Sequence, residues 1–114
     1  LGASVLILRL FLVYGLRWNE DLFLPALITA ALKKEPFRMT KGEQTREYTY
    51  IDDVIESFLC AARGKGEGEV INIGTGREIT LRDLVGKVEE LSGEKIRIQP
   101  DRLPYRENEI WGPR

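Results

Sequence analysis

The chain has 114 residues, with 17 basic and 18 acidic side chains, a formal net charge of −1, 43% hydrophobic and 31% charged residues. That size suits one domain with its own core, residues 1–114 taken together. Balanced charge without a basic block argues against a nucleic-acid binder. There is no histidine, which removes the usual general base, the commonest metal ligand and any Ser-His or Cys-His nucleophile pair. The single Cys60 forms no disulfide within the chain and fits a reducing, cytoplasmic setting.

Val5 to Val13 is almost entirely Val, Leu, Ile and Phe, a run that suits a strand buried on both faces of a parallel sheet. It is too short to span a bilayer and carries Arg9 at its centre, so no membrane role is expected. "YGLRWNED" reads as a loop. From Leu22 to Lys34 the spacing is helical, with Leu24, Leu27, Ile28, Ala31 and Leu32 in one stripe. Pro25 is tolerated in the first turn, and Pro36 stops the helix.

Phe37 to Thr40 suits a short strand, Lys41-Gly42-Glu43 a turn, and Arg46 to Ile51 an alternating strand. That strand would point Arg46, Tyr48 and Tyr50 to the same side. Asp52 or Asp53 is placed to cap the next helix, with Glu56 completing a capping box. Its apolar face would be Val54, Ile55, Phe58, Leu59 and Ala62, with Cys60 as a small core filler rather than a reactive thiol. "RGKGEGE" is an exposed turn, and Val70 to Ile73 a strand closed by Gly74-Thr75-Gly76. Thr80 caps a third helix with Leu81, Leu84, Val85, Val88 and Leu91 as its stripe and Gly93 as its stop. Ile96 to Ile98 is a last strand, and the tail is irregular.

The pattern is mixed α/β, yet only short strands accompany the most apolar one. Most of a sheet is missing. An edge of that kind is a pairing template, so Val5 to Val13 is expected to pair across a homodimer or with a missing partner chain.

Three stretches, "LRLFLVYG", "GEQTREYTYIDDVIESFLCAA" and "VINIGTGREITLRDLVGKVEEL", in this order and spacing, resemble the carboxyl-terminal part of the extended short-chain dehydrogenase/reductases. These are the NAD-dependent nucleotide-sugar epimerases and dehydratases, UDP-glucose 4-epimerase among them. The resemblance implies a partial Rossmann-like sheet edge joined to a small α/β substrate-binding subdomain. Two of the family's parts have no counterpart here: the Gly-rich dinucleotide fingerprint and the Tyr-x-x-x-Lys pair. By that resemblance the chain alone binds no NAD and catalyses nothing, and what remains is the portion that holds a UDP- or dTDP-sugar.

The resemblance also implies site residues. The arginine of the Gln-Thr-Arg string, here Arg46, contacts the sugar nucleotide's diphosphate in relatives, and a guanidinium fork matches phosphate geometry. From the residues alone Arg46 equally suits a solvated ion pair with Glu47, Asp52 or Asp53; the resemblance favours the phosphate, with Tyr48 and Tyr50 as a wall behind it. Arg106, followed by Asn108-Glu109 where relatives carry Gly-Asp or Gly-Glu, corresponds to a second diphosphate arginine. Met39 and Thr40 fall on the edge strand beside the base. Leu12 stands where the family usually has Asn, and Leu16 where Pro is common, so one polar contact to the sugar nucleotide is lost. Asp52 and Asp53 read as helix-start residues rather than a catalytic pair.

Overall fold

The computed structural model describes residues 2–64, 66–99 and 103–112. In chain order the elements are β1 (Ile7–Leu10), β2 (Leu12–Tyr14), α1 (Phe23–Lys33), β3 (Thr45–Arg46), β4 (Tyr48–Tyr50), α2 (Ile51–Arg63), β5 (Val70–Ile73), β6 (Ile79–Thr80) and α3 (Leu81–Ser92). The chain separates into two compact units: Leu1–Leu16 with Glu47–Arg77, and Arg17–Arg46 with Glu78–Arg114.

The first unit is built on two parallel pairs. β1 lies beside β5 with Ile7 opposite Val70 and Leu10 opposite Ile73. β2 lies beside β4, with Leu12 opposite Tyr48. The expected single strand over Val5 to Val13 is therefore divided. The Phe11 N–H still bonds the Ile73 carbonyl at 3.3 Å, and one residue later the backbone changes partner. Its burial also differs from expectation: Ile7 is 53% exposed, Leu10 39% and Leu12 45%. A parallel pair is normally covered on both faces, and these strands are covered only in part.

α2 starts at Ile51, so the strand expected through that residue ends at Tyr50. Tyr50 precedes the helix in extended conformation and makes no side-chain cap. Asp52 and Asp53 sit one step inside, in the first turn, where their charge favours the helix dipole instead of capping it. Only Val54 is buried on the helix. The rest of the expected apolar face is open, with Ile55 and Phe58 each 51% exposed and Leu59 46%, and Cys60 is exposed rather than a core filler. The periodicity is correct and α2 lies against β2 and β4, yet this part of its apolar face stays about half-exposed.

The second unit holds the better core. α1 packs on α3, burying Leu24, Leu27, Ala30 and Ala31 against Leu81, Leu84, Val85 and Val88. Leu27 is fully enclosed at 0% exposure, a burial worth about 1.5–3 kcal/mol. The outer members of both expected stripes, Leu32 at 66% and Leu91 at 76%, face solvent. Thr80 caps α3 as expected, accepting from the Asp83 N–H at 3.0 Å, and Gly93 closes it at φ 72°. The strands expected at Phe37 to Thr40 and Ile96 to Ile98 reduce to one parallel bridge, Phe37 with Ile98. Lys65 of the expected Gly-rich turn, and residues 100–102 of the tail, lie outside the described residues. No helix among those described is long and apolar enough to cross a membrane, and among the described residues no group of three or more His, Cys, Asp or Glu could hold a metal.

Candidate functional site

Residues 39–46 of the second unit are laid over the start of α3. The Leu81 N–H donates to the Gln44 carbonyl at 3.1 Å and the Arg82 N–H to the Gly42 carbonyl at 3.0 Å. The helix's first donors are thus satisfied by this loop. Gly42 makes the turn at φ 75°, and a Cβ there would sit 2.6 Å from the Met39 methyl and 2.9 Å from the Arg82 nitrogen. Glycine is required for both reasons. Met39 itself is in the core at 6% exposure.

Thr40 is half-buried, and its hydroxyl is engaged by Gln44. The Gln44 Nε2 donates to Thr40 Oγ1 at 3.1 Å, and Thr40 Oγ1 also accepts from the Gly42 N–H at 3.2 Å. Gln44 is 4% exposed and its Nε2 also lies 3.4 Å from Glu109 Oε1. Glu109 belongs to the tail, which follows the loop closely. The Leu103 N–H donates to the Met39 carbonyl at 3.0 Å, the Tyr105 hydroxyl to Glu43 at 2.9 Å, and the Thr45 N–H to the Trp111 carbonyl at 2.7 Å. The Tyr105 and Trp111 rings pack at 4.7 Å.

Arg46 sits on β3, which pairs antiparallel with β6 so that Arg46 faces Ile79. Its Nη1 donates to the Thr45 carbonyl at 2.7 Å and to the Ile110 carbonyl, and its Nη2 donates to Glu109 Oε1 at 2.9 Å. A guanidinium has five N–H donors. Nε–H and one Nη2–H therefore have no acceptor among the described residues. The Arg46 and Glu109 side chains are only 22% and 7% exposed, so the pair is shielded from water. The expected partners Glu47, Asp52 and Asp53 are not the ones found; the carboxylate comes from the far end of the sequence. Chemically, this is a fixed, half-buried cation with two donors to offer an anion.

Arg106 is exposed, and its carbonyl accepts from the Glu109 N–H at 3.1 Å, closing a turn. Arg46, Thr40 and the Arg106 turn are thus joined through Gln44 and Glu109. Gln44 received no role from the sequence although it lies in the Gln-Thr-Arg string itself, and Glu109 was only a place-holder in the tail match.

Tyr48 and Tyr50 do not continue β3. They lie on β4 in the first unit, where Tyr14 meets Tyr48 at 6.4 Å edge-on and Tyr50 at 5.2 Å. The alternation that would have aligned them with Arg46 is interrupted at Glu47. That residue is 7% exposed, and its Oε1 accepts from the Gly76 N–H at 2.8 Å and lies 3.5 Å from the Thr75 hydroxyl. A Cβ on Gly74 would strike this carboxylate and the Phe11 ring. At the Gly74–Gly76 corner the Gly76 amide is therefore already held by a carboxylate.

Residues 2–74 match the model of the NAD dependent epimerase/dehydratase family. An uncharacterized UDP-glucose epimerase, YtcB, of Bacillus subtilis is 32% identical over 114 residues, spanning 96% of this chain and 36% of that protein. A UDP-N-acetyl-alpha-D-glucosaminuronate decarboxylase of Bacillus cytotoxicus is 32% identical, spanning 85% of this chain and 32% of that protein. Among solved structures, UDP-glucose 4-epimerase of Thermotoga maritima with UDP-glucose superposes at TM-score 0.81 and 31% identity, over 97% of this chain and 36% of the other. UDP-glucuronic acid 4-epimerase of Bacillus cereus, in complex with UDP-glucuronic acid and NAD, superposes at 0.79 and 33% identity, over 96% and 36%. The chain spans about a third of the length of the relatives it matches.

Proposed function

The chain belongs to the NAD dependent epimerase/dehydratase family, and on that premise we propose that it holds the diphosphate of a UDP- or dTDP-linked sugar and is not catalytic by itself. The observation that carries this reading is Arg46, fixed by Thr45, Ile110 and Glu109 yet keeping two N–H donors for an incoming anion. Arg106, exposed on the neighbouring turn, supplies the second cation. In this reading Thr40 is assigned to the base, whereas Met39, buried in the core, supports Thr40 instead of touching the nucleotide. The hydride chemistry of the family needs an NAD-binding portion whose fingerprint and Tyr-x-x-x-Lys pair these 114 residues do not contain. This polypeptide then acts in the cytoplasm, joined to that portion or to a second copy.

The test is calorimetric titration with UDP and UDP-glucose. Binding by the wild-type chain that weakens about tenfold or more in Arg46→Ala supports the reading, and binding indifferent to that substitution overturns it.

A second reading has its own observation. Ile7, Val70, Ile55, Phe58 and Leu59 of the first unit are each 46–53% exposed, which suits a non-catalytic, self-associating module. Self-association without UDP binding would favour it.

A further inference from the structure

Resting on the diphosphate reading above, we propose that Gln44 is a positioning residue for the sugar nucleotide, acting through Glu109 on Arg46. Gln44 is 4% exposed, so its amide does not reach a ligand itself. It sits between two fixed points: its Nε2 donates to Thr40 Oγ1 at 3.1 Å and lies 3.4 Å from Glu109 Oε1. Its own backbone is anchored too, since its carbonyl accepts from Leu81 at the start of α3. The amide therefore transmits the rigidity of α3 to a tail residue that has no regular secondary structure of its own.

Glu109 Oε1 is the shared acceptor. It receives Gln44 Nε2 on one side and Arg46 Nη2 at 2.9 Å on the other. The guanidinium is planar and moves as one body, so the two backbone carbonyls on Nη1 and Glu109 on Nη2 hold it at three points. Together these three points decide where the open Nε–H and Nη2–H point. A phosphate oxygen bound by both requires them to be aimed before it arrives, and pre-aimed donors bind more tightly because less freedom is lost on binding. Without Gln44 the carboxylate keeps its charge but loses its second anchor, and the arginine's third point of attachment loosens.

The experiment compares UDP affinity by calorimetry for wild type, Gln44→Met, Arg46→Ala and the double variant, with thermal unfolding of each. Gln44→Met keeps the side-chain length and removes the donor. It is expected to weaken UDP binding about tenfold, and to weaken it no further in the Arg46→Ala background. In nitrogen-15 NMR the Arg46 Nη2 protons are expected to exchange with water faster in Gln44→Met than in the wild type, while the Nη1 protons, held by two backbone carbonyls, are unchanged, a split that general loss of stability would not produce in a folded protein. Should Gln44→Met fail to fold, Glu109→Gln, which keeps shape and acceptor, is expected to retain the slow Nη2 exchange while Glu109→Ala loses it. UDP binding that depends on Arg46 but not on Gln44, or equal weakening in both backgrounds, overturns the inference alone. A wild-type chain that ignores UDP overturns the diphosphate reading and this inference with it.

Discussion

Arg46 and Glu109, 63 residues apart, form an ion pair at 2.9 Å whose side chains are 22% and 7% exposed. A pair this dry is costly to break from one side, because the surviving charge keeps its burial and loses its partner. Arg46→Ala is expected to cost about 1–3 kcal/mol of stability, and Arg46→Ala with Glu109→Gln to recover part of it. Urea unfolding of the two variants checks this. Equal midpoints for wild type and Arg46→Ala would mean that the pair does not contribute to the fold.

The corner after β5 leaves no room for a side chain. Gly74→Ala drives its methyl into the Glu47 carboxylate and the Phe11 ring. Overpacking of this kind costs about 1–3 kcal/mol. Thermal unfolding should show a lowered midpoint, whereas Gly86→Ala, whose Cβ meets nothing within 4 Å on a helix, should raise it slightly.

Thr80 is the only side-chain cap among the three helices described. Thr80→Ala is expected to cost about 1 kcal/mol and Thr80→Ser little. Because the same helix start carries the loop that holds Gln44, hydrogen exchange at Leu81 and Arg82 should accelerate in the alanine variant.

Burial separates two apolar residues that look alike in sequence. Leu27→Ala removes a fully enclosed side chain and is expected to cost about 2–5 kcal/mol. Phe58, 51% exposed on α2, is expected to tolerate serine at under about 1 kcal/mol. Light scattering of Phe58→Ser tests the self-association reading: a particle smaller than the wild type's would place that face in the contact.

The sequence was most legible where structure is local. The Thr80 cap, the Gly93 stop and the α3 stripe as far as Val88 depend on residues within a few positions of each other, and all three were readable, while Leu91 of the expected stripe faces solvent. The run from Val5 to Val13 was readable as strand but not as two strands, because the change of partner at Phe11 is decided by β4 and β5, dozens of residues away. The α2 stripe had helical spacing, yet spacing cannot tell whether anything packs against it. At the candidate site, Arg46 was singled out through its string. Its carboxylate partner was not, since nearness in sequence favoured Glu47, Asp52 and Asp53, while chain folding delivered Glu109. Gln44 was overlooked because a buried amide leaves no charge or period to notice.

Each unit is assembled from two separated stretches, with the backbone passing between them at residues 16–17, 46–47 and 77–78. Neither can be excised as a continuous piece. A single protease nick in the loop at Gly66 would leave β1 on one product and its ladder partner β5 on the other. The cut chain would then hold together only through non-covalent pairing, and its two products should part in denaturant but not in buffer.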